Sequence, residues 1–268
     1  MEKISVIIPM YNASQTIEQC LDSVLKQTFI VNYQIIVIND GSTDSSLDIL
    51  QSYVSNHNYP NFEFIIKNQN NQGAACARNV GLLTANGDWV AFLDSDDQWF
   101  PEKTKIQMNY LFANTDVDMV AGIFGDDKMD VLKHLEDENL ITIRDQVLKN
   151  YFSPQTVLFR RSILDKTGLF NPNMRYFEEG YFFNNMVFHC KCILLNQKVT
   201  KSITNKKRWG ENGLSGNLIK MEQGELFNIF QAYKKKYISL FLYLFAVLFS
   251  IIKFSRRIFI KTIRIIIK

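Results

Sequence analysis

The first hundred residues alternate between short runs that are apolar throughout and longer stretches whose apolar positions recur every three or four residues. Residues 4–9 (ISVIIP), 33–39 (YQIIVIN), 62–67 and 89–94 (WVAFLD) have strand length and no polar alternation. Between them the spacing predicts helices. Ser14 is placed to cap one bearing Ile17, Leu21, Val24 and Leu25, Asp44 opens one bearing Leu47, Leu50 and Val54, and a third covers 73–83. Strands that are apolar on both faces and alternate with helices imply βαβ units, and so an α/β fold with a mainly parallel central sheet. In such a sheet ligands bind beyond the carboxyl ends of the strands. Asp40 and Asp94 each end an apolar run there.

Past residue 101 the pattern loosens. It predicts a helix at 102–114, a strand at 117–124, a charged variable loop at 125–139, a helix at 184–190 and another at 218–236. With 268 residues, 47% of them hydrophobic, the chain suits one large domain at 1–232 and an appendage at 233–268. Charge separates the two parts. Nine of the 30 Lys and Arg residues lie beyond position 232 and none of the 27 acids does, so the body is near −6 and the tail +9. A mildly acidic body argues against nucleic acid as a partner. Four cysteines at irregular spacing and a start that enters a strand at once favour a reducing, cytoplasmic setting. The run His189-Cys190-Lys191-Cys192 lacks zinc spacing and reads as an ordinary element.

Three stretches carry candidate chemistry. In Asp94-Ser95-Asp96-Asp97, carboxylates past a buried strand repel one another unless a cation neutralises them. A D-x-D turn of this kind offers oxygen ligands to Mn²⁺ or Mg²⁺, with diphosphate oxygens completing the sphere; a solvated acidic turn has the same composition. Asp40-Gly41-Ser42-Thr43-Asp44 places a carboxylate that can accept hydrogen bonds from a base or ribose beside a tight turn and a helix cap. From Gly73, a helix opening in small residues lets its backbone approach a ligand, and Arg78 can pair with a diphosphate or with a nearby Asp.

The order PMYN, INDGSTD, NQGAACARNVGL and NGDWVAFLDSDDQW resembles glycosyltransferase family 2, inverting enzymes with the GT-A fold, over about residues 3–115 and more weakly to 217. The resemblance implies that Pro9, Tyr11, Asn12 and Asp40 hold the nucleoside. Gly73, Arg78 and Ser95 complete the donor site, and Asp94 and Asp96 form the metal pair, with Asp96 the direct ligand. It also places the general base at Glu179, beside Glu178, where the family usually carries Asp. Arg208 would close over the donor phosphates, although Gly210 stands where many relatives have His. Asn205 replaces the Gln of the Q-x-x-R-W motif of processive synthases, which favours a single addition.

The tail adds a partner. Residues 237–252 form 16 uncharged positions, spanning about 24 Å as a helix against about 30 Å of hydrocarbon. Lys253, Arg257, Lys261, Arg264 and Lys268 follow at helical spacing, a basic amphipathic pattern suited to anionic lipid; packing against the body is the alternative. The expected enzyme moves a hexose or N-acetylhexosamine from a nucleotide diphosphate, UDP foremost, to a hydroxyl of a lipid-linked glycan at the cytoplasmic face of the cell membrane. A polyprenyl phosphate acceptor and an inactive nucleotide-sugar-binding scaffold are the other readings.

Overall fold

The computed structural model describes residues 2–56, 60–125, 135–204 and 216–266. The expected alternation is present in its first half: β1 (Lys3–Met10), α1 (Ile17–Leu25), β2 (Asn32–Asp40), α2 (Ser46–Asn56), β3 (Phe62–Gln69), α3 (Ala74–Thr84) and β4 (Trp89–Phe92). Next come β5 (Asp97–Trp99), α4 (Lys103–Ala113), β6 (Met119–Phe124), β7 (Glu138–Leu140), α5 (Ile143–Leu148), β8 (Val157–Arg160) and α6 (Leu164–Thr167). The chain continues through α7 (Glu178–His189), β9 (Cys192–Ser202), α8 (Leu218–Lys234) and α9 (Leu240–Ile266).

Among the described residues the strands form one sheet in the order β3-β2-β1-β4-β8-β6-β9-β5, with β7 on β9. The β3-β2-β1-β4 half is parallel, and β8 joins β4 antiparallel. A mixed, mainly parallel sheet with helices on both faces is the GT-A arrangement expected from the motifs.

Continuous apolarity works here because each strand feeds two cores. On β2, Ile36 and Ile38 pack with Ile7, Phe92, Phe182 and Met186 on one side of the sheet. Ile35 and Val37 pack with Val6, Ile8, Leu21 and Val24 on the other. Burying each such side chain contributes roughly 1.5–3 kcal/mol. α4 buries polar residues as well. Lys103 Nζ donates to Gln107 Oε1 at 2.6 Å and to the Val157 carbonyl at 3.3 Å, and lies over the Trp99 ring.

Several expected boundaries moved for local reasons. Ser14 does not cap α1: the helix starts only after Thr16, and the Ser14 N–H donates across to Asp44 Oδ2 at 3.2 Å. The helix expected at 184–190 begins at Glu178, where Phe177 turns the chain with φ 58°. The loop expected at 125–139 ends in β7, and its residues 126–134 lie outside the described residues. The largest difference is the tail. α9 is one helix lying along α8 and α5 through Ala246, Ile229, Ala232, Ile238 and Val147. Lys253 and Arg257, expected to face lipid, turn inward: Lys253 Nζ sits 2.6 Å from Glu225 Oε1 and 2.8 Å from the Leu148 carbonyl, and Arg257 Nη2 lies 3.5 Å from Glu225 Oε2. Among the described residues no helix is long and apolar enough to cross a membrane.

Candidate active site

Sheet register brings the motifs of the first hundred residues to one edge. β1 lies between β2 and β4, with Met10 opposite Asn39 and Ile7 opposite Phe92. The chain leaving β1 (Tyr11, Asn12), the end of β2 (Asp40) and the turn after β4 (Asp94 to Asp97) therefore emerge side by side.

The first two loops are sewn together. Asn12, in the left-handed region at φ 49°, accepts the Thr43 N–H on Oδ1 at 2.8 Å, and its own N–H reaches Ser42 Oγ at 3.1 Å. The Ala13 N–H bonds Ser46 Oγ at 2.7 Å. Burial would raise the Asp44 carboxyl, but hydrogen bonds from Ser46 and Ser14 outweigh it and bring it down to about 2. Pro9 is the last residue but one of β1, and Tyr11, just past the strand, is 50% exposed, an open aromatic face at the mouth of the edge.

Asp40 is buried and already occupied. Its Oδ1 accepts Gln69 Nε2 at 2.7 Å and the Gln72 N–H at 2.8 Å, and its Oδ2 accepts the Gly73 N–H at 2.8 Å. A carboxylate has about four acceptor positions, so most of this one shapes the loop into α3. Gly73 has φ 89°, which L side chains rarely adopt, and nothing lies within 4 Å of where a Cβ would be. A glycine here leaves both the turn and the space.

Arg78 lies at the centre. It is 5% exposed; Nη2 is 2.7 Å from Asp94 Oδ1 and Nη1 is 2.9 Å from Glu178 Oε1. Of the two roles open to it, the structure shows the carboxylate pairing. Burial would lower the pKa of this guanidinium, but Asp94 and Glu178 raise it and hold the charge. Glu178 and Glu179 open α7, where the helix dipole favours anions. Burial, followed by the neighbouring Glu178, holds the Glu179 carboxyl well above the usual carboxylate range; its backbone hydrogen bond and Arg78 pull the other way without overcoming them.

Ser95 is buried and Asp96 is exposed. Beneath this turn lies Cys20 of α1, whose thiol donates to the Asp94 carbonyl at 3.6 Å. Burial, then the charges of Asp97, Asp94 and Asp96, push that thiol well up. Among the described residues no three His, Cys, Asp or Glu side chains converge as a metal cage. Two carboxylates with only oxygen donors fit Mn²⁺ or Mg²⁺, which usually take one or two protein carboxylates and fill the sphere with phosphate oxygens and water.

Three features escaped the sequence reading. Glu178 is the partner of Arg78 and not a spare acid. Asn228 of α8 donates from Nδ2 to the Phe177 carbonyl at 2.8 Å, gripping the residue before the two glutamates. Gly224 lets α8 come this close, since a Cβ there would stand 2.5 Å from the Tyr176 carbonyl oxygen. Glycine and asparagine inside a helical pattern were the available signals. Arg208 and the 206–212 run, including Gly210, lie outside the described residues. His189 ends α7, with its Nε2 3.1 Å from Tyr237 Oη, and Cys192 is buried at the start of β9.

Known proteins match this sequence and this fold. The sequence profile described as Glycosyl transferase family 2 matches residues 5–199. A Haemophilus influenzae protein described as an uncharacterized glycosyltransferase is 31% identical over 222 residues, covering 82% of this chain and 84% of its own length. Escherichia coli YibD, also described as an uncharacterized glycosyltransferase, is 46% identical over 99 residues, 37% of this chain and 27% of YibD. Staphylococcus aureus TarS 1-349 in complex with UDP-GlcNAc aligns with a TM-score of 0.66 at 21% identity, over 85% of this chain and 66% of that one. The mannosyltransferase PcManGT of Pyrobaculum calidifontis, in complex with GDP-Man and Mn²⁺, aligns with a TM-score of 0.68 at 20% identity, over 87% of this chain and 64% of that one. At these identities the likeness to the two solved structures is one of fold.

Proposed function

This chain belongs to glycosyl transferase family 2, and from that premise we propose an inverting, metal-dependent transfer of a hexose or N-acetylhexosamine from a UDP-sugar to a hydroxyl of a lipid-linked glycan, at the cytoplasmic face of the cell membrane. The observation that carries the reading is the Arg78 bridge. It ties the Asp94 turn to the start of α7, so two acids from the second half of the chain sit against the D-x-D turn of the first.

In this reading Asp96, with Asp94, would hold Mn²⁺ or Mg²⁺, which when bound supplies charge stabilisation to the departing diphosphate. Tyr11, Pro9 and Asn12 border the nucleoside, Asp40 and Gly73 shape the loop beneath it, and Ser95, in the Asp94 turn, completes the donor site. Glu179 accepts the proton of the acceptor hydroxyl as that oxygen bonds to the anomeric carbon. The bond from that carbon to the diphosphate breaks on the opposite face, and the electron pair leaves with the nucleotide. Glu178, held by Arg78, orients its neighbour. Once ionised, a carboxylate with a raised pKa is a stronger base than a normal Glu, so turnover is expected to rise with pH as Glu179 loses its proton. The UDP-GlcNAc in the TarS complex supports the uridine nucleotide and the Mn²⁺ in the PcManGT complex supports the metal. The acidless, basic tail supports a membrane-bound acceptor.

A donor panel tests this. UDP-, GDP- and dTDP-sugars with Mn²⁺ are scored for thermal shift and diphosphate release. UDP-sugars are expected to respond, and chelation to abolish the response. No shift with any nucleotide would sink the proposal. Full turnover by a Glu179→Gln enzyme would move the acceptor to a polyprenyl phosphate, which is already anionic. Binding without any turnover would leave a nucleotide-sugar-binding scaffold.

A further inference from the structure

α9 presents its two faces in the reverse of the order expected for a soluble domain's outer helix. Ala246, Ser250, Lys253 and Arg257, spaced four, three and four residues apart, point into the body. Ser250 Oγ donates to Glu222 Oε1 at 2.9 Å, while Lys253 and Arg257 meet Glu225. The opposite face is apolar: Phe241 is 82% exposed, Leu244 57%, Leu248 58% and Phe259 65%, with Phe245 and Ile252 between them also exposed. Single exposed apolar residues are ordinary, but a continuous strip along a helix marks a contact surface. From Phe241 to Ile252 it runs about 17 Å at 1.5 Å per residue, and exposed Ser255 and Arg256 interrupt it before Phe259.

Charge selects the occupant. Lys234 and Lys236 are exposed at the near end of the strip and Arg256 just past its far end, while Lys235 Nζ is tied to Tyr181 Oη at 2.9 Å and Asn185 Oδ1 at 2.8 Å. No Asp or Glu follows Glu225. A second copy docked through the same face would set cations against cations with no acid of its own α9 to answer them. Phosphate headgroups answer all of them, and long cationic side chains reach outward from an apolar bed to do so.

We propose that α9 lies in the plane of an anionic bilayer surface, with the Phe241–Ile252 strip among the upper acyl chains and Lys234, Lys236 and Arg256 at headgroup level. The inference rests on the membrane placement in the function proposed above, and not on its chemistry. It also differs from the sequence expectation in which residues face lipid. Lys253 and Arg257 are struts on Glu225, so attraction comes from the apolar strip and its rim. Because α9 packs on α8, and α8 grips the start of α7 through Asn228, the bilayer would lie on the acceptor-base side of the molecule.

The test is flotation of the full chain with vesicles of phosphatidylcholine alone and mixed with phosphatidylglycerol, without donor or acceptor. The chain is expected to float with the mixed vesicles and to weaken in high salt. Leu244→Glu with Leu248→Glu is expected to lower partitioning at least about tenfold with unchanged circular dichroism and Tm, because both side chains point away from the body. As a second readout, a Phe241→Trp chain is expected to shift its emission to the blue on adding mixed vesicles. Undiminished flotation of the double variant, or a parent that stays off vesicles and sediments as a dimer the double variant dissociates, would overturn the proposal. A chain that floats but never consumes a nucleotide-sugar sinks the activity reading and leaves this one standing; turnover without flotation does the reverse.

Discussion

The two sides of the site are held in different ways. On the donor side, loops that follow β1, β2 and β4 are fixed by register and by short-range stitches: Asn12 to Thr43, Ala13 to Ser46, Asp40 to Gln72 and Gly73. On the base side, α7 starts on a left-handed Phe177 and is held there by α8 and by one guanidinium from a residue a hundred positions earlier. The donor side is a property of the sheet. The base side is a property of the assembled domain, so it depends on contacts that form only when the whole chain has folded.

The sharpest way to break this contrast is to remove the donor side's charge without touching its frame. Asp96 is exposed and lies at the centre of the turn, so Asp96→Asn is expected to lower turnover by about 10³-fold while Tm stays within about 1 °C. Diphosphate release with Mn²⁺, beside a melting curve, reads both. Next in size is Glu179→Gln, expected to reduce kcat by about 10²- to 10³-fold with little change in donor KM. If kcat falls no more than twofold, the acceptor needs no base at Glu179, as expected of a polyprenyl phosphate.

Arg78 joins the two sides, so its loss should damage both. Arg78→Met leaves Asp94 and Glu178 facing each other without a cation, and a loss of about 3 kcal/mol in denaturant unfolding is expected. Restoration of that stability by a second change, Glu178→Gln, would show that the penalty is the buried charge. Gly224→Ala probes the base side alone. Its methyl would press on the Tyr176 carbonyl, and a loss of about 1–3 kcal/mol with lowered kcat and unchanged donor KM is expected. A fall in donor affinity would erase the distinction between the two sides.

The smallest effect is one of pH. The folded Glu179 carboxyl titrates above its unfolded value, so the native state holds a proton that the unfolded chain has already released. The stability this group contributes is present below the ordinary carboxylate pKa and is lost as pH rises through the raised folded value. Glu179→Gln in metal-free protein should therefore be more stable than the parent at neutral and mildly alkaline pH, with the gap closing toward pH 4. Melting curves across that range give the slope, and a gap that widens on acidification would overturn the assignment.

This difference between the two sides also decided what could be read in advance. Apolar runs that end in Asp40 and Asp94 report strands and their carboxyl ends, because parallel register turns sequence motifs directly into neighbours. Arg78 was legible as a cation near an Asp, while its second partner was not: nothing in the 78 to 178 spacing announces a contact. The start of α7 was missed by six residues because Phe177 enters the helix from the left-handed region, which no apolar period reveals. The inward turn of Lys253 and Arg257 was not legible because helical spacing gives their common side, while Glu225 of α8 decides which way that side turns.

Cys20 carries one further consequence. Its thiol is sealed under the Asp94 turn, and the field of three carboxylates disfavours the thiolate that alkylating reagents need. While the donor edge is closed it is inert, so oxidants and maleimides should pass it by. Its rate of modification then becomes a clock: each event records a moment when the edge opened, and slower labelling in the presence of a nucleotide would measure how tightly that ligand keeps it shut.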